Sequence, residues 1–99
     1  MEIGDKYVDD MIRAVRRSKS QGVIDEISDL ILEARADMVS AGISKTRAED
    51  ETDSLIKGAV RSFCRWKFGL AAEDAEANRR DYLVQIDNLR RREGYREEE

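Results

Sequence analysis

The sequence lacks most of the side chains that usually act as catalytic bases, nucleophiles or metal ligands, which argues against most kinds of active site. The 99 residues include no histidine and a single cysteine, Cys64. The usual zinc sites need several histidine or cysteine ligands, and a serine nucleophile would need a base other than histidine, which nothing here indicates. Cys64 lies at the edge of an apolar helix face, so we interpret it as a small packing residue.

Carboxylates are abundant but stand where solvent would be expected to reach them. They occur as Asp9 with Asp10, Asp25 with Glu26, and a run at 49–51. A general acid or base needs a concave, partly apolar setting, and these groups instead flank helical patterns. Glycine-rich phosphate loops of the GxxxxGK or GxGxxG type are missing. We therefore expect no enzymatic activity, no metal site and no cofactor.

The composition favours a small all-α domain. The chain has no proline, 40% charged residues, and no alternating or Asn-Gly pattern typical of β-hairpins. We predict one antiparallel helical bundle of about four helices over residues 1–99, with its body at about 5–92. The net charge of −4 argues against general affinity for nucleic acids. One cysteine fits either a reducing cytoplasm or a protein that does not depend on redox chemistry. Since no apolar run suits a signal peptide or a membrane span, we expect a soluble protein.

Helical periodicity places the helices near 5–17, 23–41, 52–68 and 74–92. The third is the central element, because its apolar face is too broad for contact with a single neighbour. Asp53 or Thr52 can cap its first turn, and Gly69 can end it. The predicted core consists of Ile27, Leu30, Ile31, Ile56, Val60, Phe63, Leu83 and Ile86.

Three segments lack an apolar period. Residues 1–4 are expected to fray, the polar stretch 43–51 to be a mobile surface loop, and the acidic tail 93–99 to be disordered.

A second apolar set lies on the 23–41 helix, away from its main stripe. Leu32, Ala36 and Val39 are spaced i, i+4 and i+7 on a different face. Either these are isolated exposed residues without a role, or they form a subunit contact. Lys45 and Arg47, in the adjacent polar stretch, would belong to the same contact.

Two basic clusters lie at the C-terminal ends of predicted helices. They are Arg13, Arg16 and Arg17 in the first helix and Arg90, Arg91 and Arg92 in the last. Cations there complement the negative end of the helix dipole and can simply be solvated. The alternative is contact with phosphate or with the acidic surface of a partner.

Taken in order, IDEISDLILEARADMVSAGI, a polar stretch, ETDSLIKGAVRSFCRWKFG and DAEANRRDYLVQIDNL resemble the head–tail connector (adaptor) proteins of tailed bacteriophages over residues 23–91. One departure is Ser54, where the family often has proline. The residues that carry the resemblance are Asp25, Glu26, Leu55, Ile56, Phe63, Phe68, Gly69 and Tyr82.

The resemblance implies a structural role without catalysis. Such proteins form a ring of about twelve subunits beneath the portal protein, continue its DNA channel, and offer a docking surface to the next neck (stopper) or tail-completion protein. DNA would pass through without sequence-specific binding. The chain would lie in the host cytoplasm before assembly and then in the virion, at the head–tail interface.

Two other classes of function remain open. In a small helical DNA-binding regulator, the basic end of the first helix, or Arg79 and Arg80 with the 90–92 cluster, would contact phosphates. The net acidity and the lack of a short helix-turn-helix argue against it. A protein-interaction regulator built on a coiled coil would need heptads sustained over several repeats, and no predicted helix is long enough.

Overall fold

The computed structural model describes residues 3–69 and 71–97, and within them the chain is all-α. The prediction of a small helical bundle is confirmed. The described residues form five helices: α1 Asp5–Ala14, α2 Gln21–Ser40, α3 Lys45–Ala48, α4 Ser54–Lys67 and α5 Ala72–Arg91.

Local signals set several helix ends. The Asp53 carboxylate accepts hydrogen bonds from the N–H groups of Leu55 (2.9 Å) and Ile56 (3.1 Å), as predicted for the start of α4. Gly69 follows α4 with φ 65°, the left-handed conformation that favours glycine. α1 ends earlier than predicted because Arg16 also adopts a left-handed φ of 58°.

The core is built around α4, which packs against α1, α2 and α5. Six of the eight predicted core residues are buried, and Leu30 packs against the core at its edge. Phe63 lies edge-on to Trp66 and Tyr82, with ring centroids 5.4 and 5.0 Å away. The six buried residues are Ile27, Ile31, Ile56, Val60, Phe63 and Ile86.

Leu83 is not part of the core, so that prediction was wrong. Its side chain is 46% exposed, while Tyr82, Ile86 and Leu89 on the same helix are buried. α5 packs mainly against α4, and one neighbour covers only a narrow stripe of a helix. Leu83 lies about 100° around the helix from Tyr82 and falls outside that stripe.

The 43–51 stretch is ordered, contrary to the prediction of a mobile loop. It contains α3, and both Ile43 and Ala48 are fully buried. The C-terminal segment covers it: the Ser44 N–H donates to the carbonyl oxygen of Tyr95 at 2.8 Å, and Ile43 forms an antiparallel bridge with Arg96. Disorder was therefore also the wrong prediction for residues 93–97.

The start of the chain is held as well. The Gly4 N–H donates to the Glu51 carboxylate at 3.0 Å, and Ile3 packs against the core. The prediction of fraying was thus wrong for Ile3 and Gly4. Residues 1 and 2, to which it also applied, lie outside the described residues, as do residues 98 and 99 of the tail that was predicted to be disordered. Within the described ranges, every helix is too short or too polar to cross a bilayer.

Candidate subunit interface

One shallow groove on the outer side of α2 collects most of the predicted contact residues. Leu32 is 39% exposed, Ala36 is exposed and Val39 is half-buried. Lys45 reaches the same groove from α3. The groove is lined by Leu32, Arg35, Ala36, Val39, Lys45 and Glu49.

α3 forms one wall of this groove because the local sequence fixes its position. The Ser44 hydroxyl accepts the N–H of Arg47 at 3.2 Å and caps the short helix. Buried Ile43 and Ala48 anchor both ends of α3 to the core. Lys45 and Glu49 then project along the rim and lie 3.8 Å apart.

The floor of the groove contains a buried cation. Arg35 is 4% exposed, donates to a carboxylate oxygen of Glu51 at 3.1 Å, and lies over the Tyr7 ring. Burial raises the pKa of Tyr7 to about 12, so its hydroxyl stays neutral. Since Glu51 also binds Gly4, this cluster joins α1, α2 and the α3–α4 connection. These contacts therefore hold the residues beneath the groove in fixed positions.

Arg47 does not belong to the groove, although it was predicted to lie at the contact. Its guanidinium donates to the carbonyl oxygen of Gly94 at 2.9 Å and lies 4.8 Å from the centroid of the Tyr95 ring. It thus holds the C-terminal segment against α3. An i, i+2 spacing from Lys45 places Arg47 on the other side of the helix.

Asp53 has a structural role that the sequence does not reveal. Besides capping α4, it accepts a hydrogen bond from the Tyr95 hydroxyl at 2.7 Å and lies 3.4 Å from Arg47. Burial opposes its ionisation, but the bonds from Tyr95, Ile56 and Leu55 prevail and lower its pKa. A cap was predictable from an acidic residue before an apolar helix, whereas a partner 42 residues away was not.

These acidic contacts predict that the fold loses stability in acid. Hydrogen bonds from Lys57 and Lys6 lower the pKa of Asp10 from 3.8 to about 2, and bonds from Thr52 and Arg90 lower those of Asp50 and Asp87. A lowered folded-state pKa gives stability that is complete above the unfolded value and lost as pH falls through the folded value. The melting temperature should be steady down to about pH 5 and fall between about pH 4 and 2.

Asp10→Asn provides a matched variant for this prediction. It removes one of the stabilised carboxylates, so it should melt below the wild type at pH 7 and approach it at pH 2. Circular dichroism melts at several pH values measure both curves. A melting difference that is the same at pH 2 and pH 7 would show that the charge of Asp10 is irrelevant.

The two basic clusters do not form one surface. Arg17 lies over the Phe68 ring at the C-terminal end of α4, whereas Arg92 lies beside Leu55 at its N-terminal end. A 14-residue helix separates these ends by about 20 Å.

Half of these six arginines also have acidic partners within their own helix. Arg13 pairs with Asp10, and both Arg90 (2.8 Å) and Arg91 (3.1 Å) pair with Asp87. Arg16 is exposed and has no ion pair with a described residue. The arrangement is that of solvated helix ends.

A second apolar surface, missed by the sequence reasoning, lies on α5. Val84 is 60% exposed and adjoins the exposed Leu83. A hydrophobic pair outside the buried stripe of α5 could have indicated it, but Leu83 was assigned to the core. The molecule therefore carries outward apolar side chains on both α2 and α5.

Nothing among the described side chains suggests a reactive centre. Cys64 is fully buried, and burial raises the pKa of its thiol to about 12, so almost no thiolate forms at neutral pH. The described residues contain no group of three or more potential metal ligands.

The chain matches no protein-family model, no curated protein and no solved structure. Its resemblance to connector proteins therefore stays a prediction.

Proposed function

We propose that this chain is a structural head–tail connector (adaptor) subunit of a tailed bacteriophage. About twelve copies would form a ring beneath the portal protein, continue its DNA channel, and receive the next neck or tail-completion protein. The observation that carries this proposal is the groove on α2. Leu32, Ala36 and Val39, selected from their helical spacing, line it together with Lys45 from the adjacent polar stretch.

The groove has the properties of a protein-binding surface. Leu32 and Ala36 leave apolar area in water, and covering that area with another protein is favourable. Lys45 and Glu49 at the rim supply polar contacts of the kind that surround an apolar contact centre.

The charges are consistent with a passive channel rather than with a DNA-reading protein. The net charge is −4, and an acidic wall repels phosphate. The two arginine clusters lie at opposite ends of α4, and three of their six arginines are paired with carboxylates, which does not favour the alternative of a DNA-binding regulator. In this proposal the protein works in the virion, at the head–tail interface.

Binding to portal particles of the same phage tests the proposal. The purified chain should add a layer to the portal's lower face in negative-stain images and co-sediment with the particles. Leu32→Glu should fold normally yet lose this layer, because assembly would bury an unpaired carboxylate.

Leu55→Glu is the matched control, since Leu55 is similarly exposed (44%) but lies outside the groove. It should bind portal like the wild type. A wild-type chain that adds no layer at any concentration would overturn the proposal. Should Leu32→Glu bind unchanged, the groove has no part in the assembly.

A further inference from the structure

The C-terminal segment, residues 92–97 after α5, is attached to the body mainly through polar contacts. The Ser44 N–H donates to the carbonyl oxygen of Tyr95 at 2.8 Å, and the Glu97 N–H donates to that of Gly42 at 2.9 Å. Tyr95 is half-buried, and every other residue of the segment is exposed. Hydrogen bonds contribute little net free energy where water can replace them. The segment can therefore leave the body while the core stays folded.

α3 depends on this segment for part of its support. A helix of four residues is too short to form by itself, so its neighbours must hold it. α2 contacts α3 from one side, and the C-terminal segment contacts it through Arg47. The Arg47 guanidinium donates to the carbonyl oxygen of Gly94 at 2.9 Å and lies 4.8 Å from the centroid of the Tyr95 ring. Since α3 and the residue after it carry Lys45 and Glu49, the same support fixes one wall of the groove.

One carboxylate joins the segment to the rest of this corner. Oδ1 of Asp53 accepts the N–H groups of Leu55 and Ile56, so the start of α4 fixes the position of this side chain. Its Oδ2 accepts the Tyr95 hydroxyl at 2.7 Å and lies 3.4 Å from Arg47. The Asp53 side chain is only 7% exposed, so water competes poorly for these bonds. Asp53 is therefore the anchor to which both α3 and the C-terminal segment are tied.

We propose that the C-terminal segment is a latch that sets the groove on α2. In the docked state it holds α3 against α2 and keeps Lys45 and Glu49 at the rim. In the released state α3 loses the contacts of Ser44 and Arg47 with the segment, and the groove loses its wall. A partner that binds the complete groove then favours the docked state, and a partner that draws the segment away weakens the groove. The latch operates in the isolated chain, whether or not the chain is a connector.

Amide hydrogen exchange of Tyr95→Phe, followed by NMR, tests the latch. The variant removes only the hydroxyl that donates to Asp53, a bond to a charged partner. It should raise the exchange rates of the Ser44 and Glu49 amides about tenfold, because both become accessible when the segment leaves. The amide of Val60, in the middle of α4, should exchange at the wild-type rate.

A second variant releases the segment by a different cause. Gly94 has φ 91°, a conformation that other residues adopt at a cost, so Gly94→Ala disfavours the docked backbone. It should raise the same exchange rates about tenfold. Arg96→Gln is the matched control, because Arg96 is exposed and meets Ile43 through its backbone. It should exchange like the wild type.

A nitroxide spin label on Ala36→Cys reports on the groove itself. The native Cys64 is fully buried and its pKa is raised to about 12, so the label goes to the new site. With α3 docked, the label moves in a confined space. Adding Tyr95→Phe should produce a more mobile component in the electron paramagnetic resonance spectrum, whereas adding Arg96→Gln should not.

The readouts separate a latch from a tail without influence. Faster exchange of the Glu97 amide with unchanged exchange of Glu49 would overturn the proposal, because α3 would then keep its place without the segment. An equal rise at Val60 would also overturn it, since the variant would be loosening the whole fold. A spin label that is equally mobile in Tyr95→Phe and in the wild type would show that the groove wall is independent of the segment.

Discussion

Replacing Phe63 with alanine is expected to remove a large part of the stability of this domain. The Phe63 ring is 3% exposed and contacts the rings of Trp66 and Tyr82, so its removal leaves a cavity between α4 and α5. Truncations of this kind cost about 3–5 kcal/mol. A domain of this size holds about 5–15 kcal/mol in total, so Phe63→Ala should melt far below the wild type.

Urea denaturation followed by circular dichroism measures this loss, and Leu83→Ala is the control. Leu83 is 46% exposed, and its truncation should change the free energy of unfolding by less than about 1 kcal/mol. If Phe63→Ala unfolds at the same urea concentration as the wild type, Phe63 is not a core residue. Equal losses in the two variants would mean that α5 is packed differently.

Features governed by neighbouring residues were predictable from the sequence. The Asp53 cap and the Gly69 stop depend only on the backbone of α4, and both were expected. The buried stripes of α2 and α4 follow from helical periodicity, which explains why Ile27 and Val60 were assigned correctly.

Features that depend on distant parts of the chain were not predictable. Leu83 looked like a core residue because its sequence position cannot show that α5 has one main neighbour. The 43–51 stretch looked mobile because its few apolar side chains are buried by the C-terminal segment. That segment is in turn held by the bonds of Tyr95 to Ser44 and Asp53.

The same distinction between local and long-range features applies to the residues of the candidate site. Leu32, Ala36 and Val39 share one helix, so their common face was visible in the spacing. Lys45 joins them only because α3 packs beside α2. Arg47 lies outside the groove because its partners, Gly94 and Tyr95, are far along the chain and hold it on the other side of α3.

Deleting the gene from the parent phage is expected to abolish infectivity while sparing DNA entry. A connector adds a layer to a finished portal vertex, so packaging would precede its action. Without that layer, filled heads could neither join tails nor retain their genomes. Because every ring contact is repeated around the portal, weak single contacts would act together, and losing one surface should break the whole assembly.

Complementation from a plasmid refines this expectation. The wild-type gene and Leu55→Glu should restore infectious particles, whereas Leu32→Glu should not, because its carboxylate would have to be buried in the groove. Restoration by Leu32→Glu at wild-type titre would move the contact away from α2.

Electron microscopy of the particles made by the deletion phage tests the connector function most directly. The expected image is a field of tailless heads, some filled and some emptied, beside free tails. Tailed, DNA-filled and infectious particles assembled without this protein would contradict the connector function.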